Sequence, residues 1–157
     1  MCGLAGIMVA TPSVAADALH AQARAMGDAL RHRGPDDAGV WVDAAAGIAL
    51  AHRRLSILDL SPLGHQPMAS SDGRYVLAYN GEIYNFAALR TELEPWGHVF
   101  QGHSDTEVLL AAVLEWGLED TLQRCNGMFA LALWDRQEQC LWLARDRVGK
   151  KPLYYGW

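Results

Sequence analysis

Met128-Phe129-Ala130-Leu131-Ala132-Leu133-Trp134, then the polar Asp135-Arg136-Gln137-Glu138-Gln139, then Cys140-Leu141-Trp142-Leu143-Ala144 decide the fold class. Two short, nearly continuous apolar runs joined by a polar connection read as a hairpin of interior strands, because strands with one wet face alternate apolar and polar residues. A sheet covered on both faces follows, and other parts of the chain must cover it. From Val14 to Arg31, Ala16, Leu19, Ala23, Met26 and Leu30 recur in steps of three and four, the spacing of a helix with one buried stripe, which Gly34-Pro35 ends. Ser104-Asp105-Thr106-Glu107 matches the S-x-x-E capping box. It opens a helix that buries Val108, Leu109, Ala112, Val113 and Trp116 and has Asp105 in its first turn. A shorter helix carries Phe86, Leu89 and Leu93 and stops at Pro95.

The remaining apolar segments supply further strands. Gly3 to Val9 suits a strand buried on both faces and ended by the turn Thr11-Pro12-Ser13. Gly39 to Val42 and Gly47 to Ala51 form a plausible hairpin, and Ser61 to Gly73 is a loop. Tyr75 to Tyr79 runs directly into Asn80-Gly81, a pair that readily adopts positive φ, so a sharp turn is expected there. With no internal repeat, low-complexity tract or linker, residues 1–157 read as one α+β domain of layered sheets and helices.

Composition narrows the function classes. A chain of 157 residues with 51% hydrophobic content can build one core. Its 13 basic and 18 acidic residues give a net charge of -5, which offers no broad positive field to a nucleic acid or an anionic membrane. The longest apolar stretches, Gly3 to Ala10, Ala44 to Ala51 and Gly127 to Trp134, fall short of the roughly 18 residues a membrane span needs. No Lys or Arg precedes Arg24, which argues against a secretory signal. Cys2, Cys125 and Cys140 cannot all pair within the chain, so a soluble protein in a reducing, cytoplasmic setting is expected. His98, His103 and Asp105 lack a recognised ligand spacing, and no metal is expected. Gly149-Lys150-Lys151 lacks the upstream glycine and the following Ser/Thr of a phosphate loop. Cys125 and Cys140, in or beside apolar segments, read as inert packing residues.

Cys2 is different, because removal of the initiator methionine would leave thiol and α-amine on one residue. An α-amine has a pKa of about 7.7 to 8.0 and an ordinary thiol about 8.5, so the amine can accept the thiol proton near neutral pH. Alone, a second-position cysteine reads more readily as a small apolar residue entering a strand. Other segments change that balance. Met1-Cys2-Gly3-Leu4-Ala5-Gly6, Arg31-His32-Arg33-Gly34-Pro35-Asp36, Ala51-His52-Arg53-Arg54-Leu55-Ser56-Ile57, Asn80-Gly81-Glu82-Ile83-Tyr84-Asn85, Ser104-Asp105-Thr106-Glu107 and Arg145-Asp146-Arg147 occur in this order. In them the chain resembles the class II glutamine amidotransferase domain, an N-terminal-nucleophile (Ntn) hydrolase, in its asparagine synthetase B-like, glutamine-hydrolysing branch. Relatives that make aminosugars or purine precursors carry different versions of the second and fourth segments.

The resemblance implies a four-layer αββα sandwich, two mainly antiparallel sheets between helices. It implies that Cys2 attacks the side-chain carboxamide of L-glutamine and passes through a thioester, with the Asn80 amide and the Gly81 N–H as oxyanion donors. Arg54 and Asp105 match the family's pair for the α-carboxylate and α-ammonium. Ile57 and Leu58, through their backbone, and Glu82 match the rest of the glutamine shell. In isolation each reads more blandly: Asn80-Gly81 as a hairpin turn, Arg54 as a surface ion pair, Asp105 as helix-dipole stabilisation, Glu82 as a strand-end acid. Arg31 to Asp36 is assigned to loop positioning.

The resemblance implies an N-terminal glutaminase domain, expected to be truncated at its C-terminal end. No cofactor is expected in this domain, and ATP and magnesium are expected only in an absent C-terminal synthetase domain that would take the ammonia. A homodimer of the intact protein is compatible with the resemblance. Two other readings stand beside it: a non-catalytic glutamine-binding or regulatory module, against which Cys2 and Asn80 argue, and a cysteine hydrolase of another amide, against which Arg54 and Asp105 argue.

Overall fold

A computed structural model describes residues 1–10 and 14–157. In one sheet β1 (Gly3–Met8) and β2 (Asp37–Asp43) flank β3 (Ile48–Arg54), all antiparallel. A second antiparallel sheet runs in the order β4 (Met68–Ala69), β5 (Tyr75–Ile83), β6 (Gly127–Asp135), β7 (Cys140–Arg145). The helices are α1 (Ala16–Ala29), α2 (Phe86–Leu93), α3 (Asp105–Trp116) and α4 (Leu118–Arg124).

Strand alternation produces the layers. On β3, Ala49 and Ala51 face outward against Leu19 and Ala23 of α1. Ile48 and Leu50 face inward and meet Val76 and Ala78 of β5 and Ala132 and Trp134 of β6 between the sheets. The opposite face of the second sheet, with Leu77, Tyr79, Leu131 and Leu133, packs against Leu89 and Leu93 of α2 and Val108, Leu109 and Ala112 of α3. This is the αββα sandwich expected, and β6, buried along most of its length, is the interior strand its sequence predicts.

Several details depart from expectation. Asn80-Gly81 makes no turn: β5 continues through both residues to Ile83, with Asn80 opposite Ala130 and Gly81 opposite Phe129. Pairing with a long central neighbour overrides the local preference of the dipeptide. Neither β1 nor β7 is covered on both faces; they are sheet edges, and Met8, Trp142 and Leu143 are exposed. A continuous apolar run does not distinguish an edge from a centre. The α1 stripe is Leu19, Ala23 and Gly27, while Ala16 and Met26 face water, because the helix crosses β3 closely enough that a Cβ at Gly27 would lie 3.3 Å from that of Ala51. Within the expected loop 61–73 lie a 3₁₀ turn (Pro62–Gly64) and β4. Helix α4 was not anticipated. The turn assigned to Thr11-Pro12-Ser13 lies outside the described residues.

Candidate active site

Sheet register brings the nucleophile candidate to its partners. Gly3 pairs with Arg53, so one step outward Cys2 stands opposite Arg54 at the end of β3. The Leu55 N–H donates to Cys2 Sγ at 3.4 Å, a donor already aimed where negative charge would sit on sulfur. Arg33 Nε donates to the Cys2 carbonyl at 3.0 Å and fixes the main chain there. Asp36 accepts the Ser56 N–H at 2.8 Å and anchors the segment after β3. The RHRGPD motif is therefore more than loop positioning, because its second arginine holds the cysteine itself.

Asn80 and Gly81, the candidate oxyanion donors, both lie on β5. In an antiparallel pair, alternate residues turn both backbone groups toward or away from the neighbour. The Phe129 N–H and C=O are taken by Asp146, on the β7 side, so Gly81 opposite it points its N–H away from β6. On that side β4 pairs only with Leu77 and Val76. The Tyr79 N–H, two residues before, donates to Gln66 Oε1 at 2.7 Å, and the Ile83 N–H, two residues after, donates to Asp105 Oδ2 at 2.9 Å. Among the described residues nothing accepts the Gly81 N–H. Asn80, one residue out of phase, follows Val76 and Ala78 onto the inter-sheet face; it is buried, lines the same cavity as Cys2, and its side-chain amide has no partner among the described residues.

Two opposite charges stand on the cavity wall. Arg54 is buried; its Nη1 donates to the Ser61 carbonyl at 2.9 Å and its Nη2 to that of Asp59. Asp59 is held at about 2 by hydrogen bonds from the Ser61 side chain, the His103 N–H and the Ser61 N–H, which keeps the loop 59–61 folded around the guanidinium. Asp105 opens α3, where Ser104 caps by accepting the Glu107 N–H at 3.3 Å. The Glu107 carboxylate reaches past the cap to the N–H groups of Gln101 and Gly102 instead of closing the box on Ser104. Burial pushes the Asp105 carboxyl above its ordinary value, opposed by hydrogen bonds from the Ile83 N–H and the Tyr79 hydroxyl, the latter at 2.8 Å.

Every residue singled out from the sequence lines one cavity of about 90 Å³: Cys2, Arg54, Ile57, Leu58, Asn80, Gly81, Glu82 and Asp105. Ile57 and Leu58 are exposed at its mouth. Met1 and Lys151 also border it. Arg33, Gly64, Gln66 and Tyr79 escaped sequence reasoning as site builders; only Arg33 carried a signal, its place in RHRGPD. Cys125 is buried among apolar side chains, and that burial pushes its thiol to about 11, the behaviour of a packing residue. Among the described residues no three His, Cys, Asp or Glu gather as a metal site, and no helix is long and apolar enough to cross a membrane.

Cys2, the Asn80 amide, the unclaimed Gly81 N–H and the opposite charges of Arg54 and Asp105 thus share one cavity, and comparison with known proteins shows the class of the chain. A family profile described as a glutamine amidotransferase domain matches residues 1–157, and the chain belongs to that family. It is 46% identical over 132 residues to "Asparagine synthetase [glutamine-hydrolyzing] 3" of Bacillus subtilis, covering 83% of this chain and 21% of that protein. It is also 46% identical over 166 aligned residues to a "Putative asparagine synthetase [glutamine-hydrolyzing]" of Mycobacterium tuberculosis, covering 98% of this chain and 25% of the relative. The chain thus spans a quarter or less of these relatives. A solved glutamine phosphoribosylpyrophosphate amidotransferase from Bacillus subtilis shares the fold, with a TM-score of 0.63 and 23% identity over 92% of this chain and 36% of that one.

Proposed function

We propose that this domain hydrolyses the side-chain amide of L-glutamine to glutamate and ammonia, with Cys2 made N-terminal by removal of Met1. The free Cys2 α-amine takes the thiol proton, and Sγ bonds to the carboxamide carbon. The oxyanion is held by the Asn80 side-chain amide and the Gly81 N–H, fixed dipoles aimed where charge develops. The amine returns its proton to the departing nitrogen, the C–N bond breaks and ammonia leaves a γ-glutamyl thioester. Water then adds to the thioester while the amine takes its proton, the C–S bond breaks, and the proton returns to sulfur. Arg54 binds the α-carboxylate and Asp105 the α-ammonium, while Ile57, Leu58 and Glu82 complete the pocket. No cofactor enters these steps.

The observation that carries the proposal is the Gly81 N–H standing unclaimed on the strand edge between two N–H groups that Gln66 and Asp105 occupy, beside the Asn80 amide and in one cavity with Cys2. We infer further that the ammonia serves an ATP- and magnesium-dependent synthetase domain of a longer, cytoplasmic protein, with asparagine as product and a homodimer as the intact assembly; the names of the relatives support the first part. The test is a glutaminase assay on protein shown by mass spectrometry to have lost Met1. Equal amounts of glutamate and ammonia, abolished by Cys2→Ala, are expected. Glutamine binding without turnover would favour a regulatory module instead.

A further inference from the structure

The segment from Asp146 to Lys151 is built with more care than a connection requires. The Asp146 carboxylate accepts the N–H groups of Lys150 at 2.8 Å, Lys151 at 2.9 Å and Phe129 at 3.2 Å, and Gly149 turns the chain with φ of +68°. Arg147 donates to the carbonyls of Leu122, Gln123 and Cys125, tying the segment to the end of α4. The result delivers Lys151 into the catalytic cavity with only 4% of its surface exposed. Its Nζ meets no carboxylate within 4.0 Å among the described residues; its hydrogen-bond partner is the thioether sulfur of Met1, at 2.8 Å. A buried ammonium is costly unless paired, and a thioether is a weak acceptor. The contact is also with the one residue that the proposed maturation removes.

We infer that Lys151 is an electrostatic positioning residue whose charge keeps the freed Cys2 α-amine unprotonated and favours the thiolate, so that the nucleophile is ready near neutral pH. The inference rests on the glutaminase reading above. The Met1 sulfur is three bonds from its Cα, and that Cα two bonds from the Cys2 nitrogen, so Nζ lies within roughly 9 Å of the amine. Other charges face the same space: Arg33 on the Cys2 carbonyl, and Arg54, Asp59, Glu82 and Asp105 on the cavity wall. Asp59 and Asp105 accept protein hydrogen bonds and Asp146 is occupied by three N–H groups, and among the described residues Lys151 forms no ion pair with these carboxylates or with Glu82.

The test measures the acid limb of kcat/KM and, without substrate, the pH dependence of Cys2 alkylation by iodoacetamide resolved by peptide mass. Met-processed wild type, Lys151→Met, Lys151→Gln and Lys151→Arg are compared, with melting temperature as the check on folding. Loss of one charge at this separation moves both profiles upward by about half to one pH unit in the Met and Gln variants. The Arg variant stays with the wild type. Profiles that overlay in all four proteins overturn the inference, as does an Arg variant that moves with the Met variant. Should the wild type release no ammonia at any pH, the glutaminase reading fails, while alkylation still decides the role of Lys151.

Discussion

Replacing Gly64 with alanine puts a methyl group where the Arg54 guanidinium now lies. An ideal Cβ on Gly64 overlaps Nη2 and the guanidinium carbon, while the backbone there has no positive φ and accepts alanine without strain. The yielding group is therefore the far end of a flexible side chain, and the arginine swings out of its slot. Two hydrogen bonds, to the Ser61 and Asp59 carbonyls, go with it. At about 1.5 kcal/mol each, the low end for a charged donor, their loss costs about 3 kcal/mol, a fall in Tm of about 6–12 °C for a chain of this length. The larger consequence is for substrate. A charged hydrogen bond to the α-carboxylate contributes about 1.5–3 kcal/mol in ground and transition state alike, so KM for glutamine should rise about 10- to 150-fold with kcat nearly unchanged. Steady-state glutaminase kinetics with Arg54→Ala as the reference decide the matter. A folded Gly64→Ala protein whose KM stays within twofold of wild type would refute the placement of Arg54 as the carboxylate clamp.

Three further predictions concern two residues of the site and one buried histidine beneath it. Asn80→Ala should lower kcat by about a hundredfold or more through loss of an oxyanion donor, and a variant that turns over at the wild-type rate would remove Asn80 from the mechanism. Asp105 is raised by burial, so as pH falls it loses its charge above the usual aspartate range; this should add to the rise in KM on acidification, and Asp105→Asn should show a high KM without that contribution. His52 is buried, donates its Nε2–H to the Tyr79 carbonyl at 2.9 Å, and is lowered by desolvation to about 4. Below pH 6.5 the unfolded chain takes up a proton that the folded chain refuses until about pH 4, so stability falls across that window by on the order of 3 kcal/mol. Urea titrations of His52→Gln should show a shallower decline from pH 6.5 to 4; an identical decline would contradict the assignment.

The layers were legible in the sequence because periodicity reports burial directly. The run 128–134 carries residues for two covered faces, and the capping box marks the start of α3 to the residue. What sequence misplaced was decided by tertiary pairing. Asn80-Gly81 carries a strong local turn signal, yet it lies flat in β5 because β6 pairs with it through Ile83. That error matters to function, since a turn would not leave the Gly81 N–H on an open strand edge between two occupied ones. The residues of the site came from the resemblance, and their convergence in one cavity comes from the β1–β3 register and the edge of β5. Gln66 and Lys151 were silent because a lone polar residue in a loop looks the same whether it faces water or lines a buried cavity.

The central claim is that Cys2, as the first residue, is the nucleophile for glutamine. Met-processed protein treated with a chloroketone analogue of L-glutamine, followed by intact mass and peptide mapping, tests it most directly. The account predicts one adduct, on Cys2, formed in step with loss of ammonia release and slowed by added glutamine. Labelling at Cys140 or Cys125 instead, or full activity in protein whose Cys2 is alkylated, would contradict it.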